Sequence, residues 1–102
     1  MENHHKLILQ KLFPFMADNI RADSLDQGVL YILTAQGVVT PAALKRVTNF
    51  NTKREQVQQL LVELENSGPE AYPKFIEILQ LTGHYLLVHL AQLYSTTLQH
   101  IE

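Results

Sequence analysis

The sequence predicts an all-α protein: a six-helix antiparallel bundle with a kinked or broken first helix. Three observations predict it. Apolar residues recur at spacings of three and four in six successive stretches, which is the periodicity of a helix with one buried face. Between those stretches fall the residues that stop and start helices, including Gly37, Thr40-Pro41, Thr52 and Ser67-Gly68-Pro69. No stretch alternates apolar and polar residues as a half-buried strand would, and no repeat or low-complexity tract interrupts the pattern.

The first stretch, roughly Asn3 to Ile20, places Leu7, Ile8, Leu12, Phe15, Met16 and Ile20 at helical spacing around Pro14. A proline inside a helix removes one backbone bond and crowds the preceding turn, so a kink or break is expected near Phe13. Ser24 and Gln27 have capping-box spacing, and Leu25, Val29, Ile32 and Leu33 supply the stripe of a second helix to about Gln36, ended by Gly37. Gly28 falls inside it as a close helix contact. After the Val38-Val39 plug, Thr40 caps a short third helix with Pro41 as its first residue and Leu44 and Val47 on its apolar side.

The best-punctuated stretch runs from Thr52 to Gly83 and reads as two consecutive helices. Thr52 and Glu55 have the spacing at which each side chain can satisfy the other's free backbone N–H. Val57, Leu60, Leu61 and Leu64 form one face of this fourth helix, while Lys53, Arg54, Gln58, Gln59 and Glu63 point elsewhere. Ser67-Gly68 closes it through a left-handed glycine, and Pro69 opens the fifth helix. Ala71, Tyr72, Phe75, Ile76 and Leu79 are that helix's apolar face, which Gly83 ends. Leu86, Leu87, Leu90 and Leu93 carry the sixth helix to about Thr96, with fraying expected beyond.

At 102 residues the chain is the size of one domain, with a core spanning about residues 3–93 and the last residues an extension or the start of a linker. Hydrophobic residues at 46% and charged residues at 18% are globular proportions, so the chain is expected to fold unaided. A net charge of -2 argues against a nucleic-acid partner. There is no cysteine, which removes disulfides, thiolate metal sites and a cysteine nucleophile. Apolar runs are too short for a membrane span and no secretory leader is evident, so a cytoplasmic protein is expected.

The five histidines do not form a ligand set: His4 and His5 diverge on a helix, and His84 and His89 share no face well. No metal and no cofactor is expected. Serines, carboxylates and histidines are scattered without a catalytic signature, and the four glycines are too dispersed for a phosphate loop, so no enzyme is expected either. Charge is unevenly spread: residues 1–50 hold five basic and four acidic side chains, residues 51–102 three and six. Lys53 and Arg54 begin the fourth helix, where the helix dipole disfavours cations. Asp18, Asp23 and Asp26 gather around the start of the second, where it favours carboxylates; structure explains that acidic group as well as function does. A solvated face is the plain account of Lys53 and Arg54, and a partner contact is the better specific one.

The run LLVELENSGPEAYPKFIEILQLTGHYLLVHL, from Leu60 to Leu90, together with the Gly37-Val38-Val39-Thr40 link and the interrupted first helix, resembles the caspase recruitment domain of the death-fold superfamily. The resemblance extends from about Asn3 to Leu93 and is strongest to the amino-terminal domains of initiator caspases. It implies a non-catalytic, homotypic interaction domain that docks on the matching domain of an apoptosome-type scaffold or adaptor, activating attached proteases by proximity in apoptosis. It also implies a basic face on the first and fourth helices, at Lys6, Lys11, Lys53 and Arg54, and an acidic region at Asp23 and Asp26. Where some relatives would carry a further base on the fourth helix this chain has Gln58, and its third helix carries Lys45-Arg46 rather than carboxylates.

Other readings are a stand-alone adaptor or decoy that regulates caspase activation, and a helix-turn-helix nucleic-acid binder with Pro41 to Asn49 as recognition helix. Homotypic assembly as a ring or a helix is open to either recruitment-domain reading.

Overall fold

A computed structural model describes residues 3–20 and 28–101 of the chain. Among them are six helices and no strand: α1 Asn3–Asn19, α2 Leu30–Ala35, α3 Pro41–Thr48, α4 Lys53–Glu65, α5 Ala71–Leu81 and α6 Tyr85–Ile101. The Cα radius of gyration of 12.7 Å matches the roughly 13 Å of a compact globule of this length. Helix α1 packs most extensively on α6 and α4; α3 lies on α4, α5 on α6, and α2 against α3 and α5. One core joins all six, with Ile8, Leu12, Met16, Leu33, Leu60 and Phe75 fully buried. No helix of the described residues is long and apolar enough to cross a membrane.

The punctuation in the sequence is largely realised. Gly37, Gly68 and Gly83 have φ of 76°, 93° and 83°, each following a helix end. The Thr40 hydroxyl accepts from the N–H of Ala43 at 3.1 Å and caps α3. At α4 the Thr52 hydroxyl accepts from the N–H of Glu55 at 3.2 Å, while its own proton goes to the Glu55 carboxylate at 2.8 Å. Only half the expected capping box therefore forms, because Glu55 bonds the hydroxyl in place of the Thr52 backbone N–H.

Other expectations are corrected. Of the kink or break expected in α1, the break does not occur: the helix continues through Pro14. Pro14 and Gln10, the residue whose carbonyl loses its partner, are both exposed, so water can solvate that carbonyl while Ile8, Leu9, Leu12 and Met16 anchor the other side. Helix α5 starts at Ala71, not at Pro69. Pro69 and Glu70 form a turn in which the N–H of Ala71 donates to the Gly68 carbonyl at 3.3 Å, and Pro73 occupies the first turn, where a missing N–H costs little. Helix α6 extends to Ile101 instead of ending near Thr96.

The buried face of α6 is also displaced. Leu87, Val88 and Ala91 enter the core, whereas Leu86 and Leu93 are 53% and 49% exposed. Apolar residues surround the start of this helix so evenly that spacing alone does not fix its phase. Leu7 and Phe15 of α1 are likewise on the outside. Ser24, Leu25 and Gln27, expected to open the second helix, lie outside the described residues. Gly28 lies where a side-chain Cβ would sit 3.5 Å from the Thr82 methyl group, an ordinary contact against the end of α5.

Candidate partner-binding surface

Arg54, the second residue of α4, is exposed, and its guanidinium rests on an aromatic ring. Its central carbon lies 4.9 Å from the centre of the Phe13 ring on α1, within cation–π range. Phe13 is itself half-buried against the core, so a fixed aromatic plane holds the charge at the edge of α1 and α4. Lys53 precedes it, partly exposed. Among the described residues, neither Lys53 nor Arg54 has a carboxylate partner.

Below this charged corner runs a shallow groove between α1 and α4, about 240 Å³ in volume, lined by Gln10, Phe13, Gln58, Leu61, Val62 and Glu65. Leu61 is buried at its floor and Val62 is 44% exposed on its wall. The Gln58 position, where a further base is absent, falls in the middle of the groove.

Lys6 and Lys11 do not share one side of α1. Five residues of helix separate them by about 140° around the axis. Lys11 is exposed and sends its ammonium to 5.9 Å from the Tyr94 ring centre on α6. Phe13 projects nearly opposite Lys11 on α1, so Lys11 and Arg54 rest on rings on opposite flanks of that helix. Lys6 is partly exposed and shares the Phe13 flank. Lys53 and Arg54 thus stand together beside Phe13, Lys6 lies on the same side of α1 but about 10 Å, two turns, further along it, and Lys11 is set apart. Asp23 and Asp26 lie outside the described residues; Asp18, near the end of α1, is exposed.

Arg46 and Glu63 carry an arrangement that hydropathy did not suggest. Glu63, expected on the polar face of α4, is only 7% exposed. Arg46 donates to both its carboxylate oxygens, from Nε at 2.6 Å and from Nη2 at 3.0 Å, and Gln59 Nε2 donates at 2.9 Å. Hydrogen bonding to Arg46 holds the Glu63 carboxyl below the usual range against the opposing effect of burial, and the same bond raises the Arg46 guanidinium. One signal was available: Glu63 follows Leu60 by three residues, which puts both on the core side of α4. Arg46 is therefore already engaged by a carboxylate, leaving Lys45 alone to contact phosphate on the third helix.

His5 of α1 stacks on Tyr72 of α5 with ring centres 4.1 Å apart. Burial raises the Tyr72 phenol above its ordinary value. The described residues contain no cluster of three or more His, Asp or Glu side chains placed to hold a metal ion. Comparisons with protein-family models, with curated proteins and with solved structures find no match to this chain.

Proposed function

We propose that this chain is a caspase recruitment domain with an antiparallel death-fold bundle, a non-catalytic module for homotypic protein-protein interaction in the cytoplasm. It brings an initiator caspase to the matching domain of an apoptosome-type scaffold or adaptor, where crowding of protease domains activates them in apoptosis. The sequence resemblance from Asn3 to Leu93 is what supports the family. The observation that carries the reading to a surface is Arg54, held over Phe13 beside Lys53 and, among the described residues, without a carboxylate partner.

A cation fixed in this way loses little side-chain freedom when it meets an acidic partner, which favours it over a mobile surface lysine. Each exposed ion pair contributes roughly 0.2–1 kcal/mol, so a single contact is weak and salt-sensitive. Clustering of several domains on one scaffold raises the effective concentration and compensates. Lys6 extends the same flank, and Lys11 forms a second basic point beside α6. The test is Arg54→Glu, with binding to the scaffold's matching domain measured by titration calorimetry. A fall of about tenfold or more is expected, since an attraction becomes a repulsion. Unchanged affinity in a folded variant sinks the surface assignment.

A further inference from the structure

The groove between α1 and α4 has opposite charges at its two ends. Arg54 stands at one end over Phe13, Glu65 lines the other, and Phe13, Leu61 and Val62 form the apolar middle. Glu65 is partly exposed and, among the described residues, has neither a hydrogen bond nor an ion pair to its carboxylate. Arg54 and Glu65 are eleven residues apart on one helix, which corresponds to about 16 Å along its axis, or three turns.

We infer that this groove receives a partner helix with a carboxylate near one end, apolar residues in the middle and a cation about three turns away, rather than a uniformly acidic surface. The inference rests on the recruitment reading and adds Glu65 to it as a residue that selects partners. The helix is seated with its carboxylate toward Arg54 and its cation toward Glu65, while a leucine or isoleucine fills the space beside Val62. A partner with acid at both ends places one carboxylate against Glu65, and like charges at that distance oppose binding. Glu65 thereby rejects partners that Arg54 and Lys53 alone would accept.

The test uses two helical peptides on the intact chain, followed by its backbone amide resonances. One carries Glu, two central leucines and Lys about three turns on; the other differs only in having Glu in place of that Lys. On the wild-type chain the mixed peptide is expected to bind about three- to tenfold more tightly, shifting the resonances of Gln58, Leu61 and Val62. In Glu65→Lys the ranking is expected to invert. Equal or tighter binding of the di-acidic peptide to wild type overturns the inference, as does the absence of groove shifts with either peptide. The recruitment reading falls by a separate result, failure of the wild-type chain to bind the scaffold's matching domain at all, so the two failures are distinguishable.

Discussion

Arg46 and Glu63, seventeen residues apart in the chain, are joined by hydrogen bonds of 2.6 and 3.0 Å that tie α3 to α4. The carboxylate is buried and the guanidinium is largely exposed, so the pair is a clamp at the protein's edge with one end in the core. The backbone carbonyl of Glu63 also accepts from the Ser67 hydroxyl, which fastens the end of α4 beside the same carboxylate.

This clamp sets an acid-dependent part of the stability. Because the folded carboxyl is held below its ordinary value of 4.5, the folded state binds that proton less readily than the unfolded chain. Its contribution is complete above 4.5 and is lost as pH falls from there through the lowered native value. Glu63→Gln is expected to melt at a lower temperature at neutral pH and to have a flatter acid limb. Thermal unfolding of both proteins between neutral and acidic pH checks this, and identical acid limbs would remove the assignment.

How far the sequence discloses these features depends on how local each one is. The caps at Thr40 and Thr52 and the left-handed turns at Gly37, Gly68 and Gly83 involve residues within one turn of each other, and their spacing predicts them. The Arg54–Phe13 contact joins residues forty-one positions apart, and nothing in either neighbourhood signals it. Helix phase is intermediate. It is legible in α4, where Lys, Arg and Gln mark the outer side, and illegible in α6, which has no Asp, Glu, Lys or Arg between Tyr85 and Ile101. The four basic residues were readable as candidates, but their division between two flanks of α1 required the packing of α4 and α6.

The phase of α6 and the interior of α5 can be tested together. Phe75 is completely buried, so Phe75→Ala is expected to cost about 3–5 kcal/mol through lost burial and the cavity left behind. Leu86 looked equally apolar in the sequence but is 53% exposed, and Leu86→Ala is expected to change stability by no more than about 0.5 kcal/mol. Urea denaturation measures both. A large loss at Leu86 would mean that α6 is rotated relative to the core.

Gly83 connects α5 to α6 with φ at 83°, and no atom lies within 4 Å of where its Cβ would be. The space is open, so Gly83→Ala tests backbone conformation alone. It is expected to lose about 1–2 kcal/mol, the cost of a left-handed L-residue, with no change in the packing of Phe75 or Leu87. Stability unchanged within error would show that the turn tolerates a right-handed alternative.

If Phe13 holds Arg54 for a partner, removing the ring should weaken binding without changing any charge. Phe13→Ala is expected to cost about 0.5–2 kcal/mol of scaffold-domain affinity, through loss of the cation–π support and of the apolar middle of the groove. Arg54→Lys separates the two effects, because a lysine retains the charge but stacks less well on the ring. Full affinity in Phe13→Ala would mean that Arg54 acts as a mobile charge.

Pro14 offers the most direct test of why α1 remains continuous. A proline in a helix interior is about 3 kcal/mol less favourable than alanine, from the missing N–H and the clash with the preceding turn. That figure already includes the smaller entropy that proline loses on folding. Exposure of Pro14 and Gln10 lets water replace the lost bond, which lowers the cost. Pro14→Ala is therefore expected to stabilise the protein by about 1–2 kcal/mol, read from urea denaturation, with Ile8, Leu12 and Met16 still buried. Destabilisation instead would mean that Pro14 bends α1 to fit α4 and α6, and that straightening the helix disturbs the core they share.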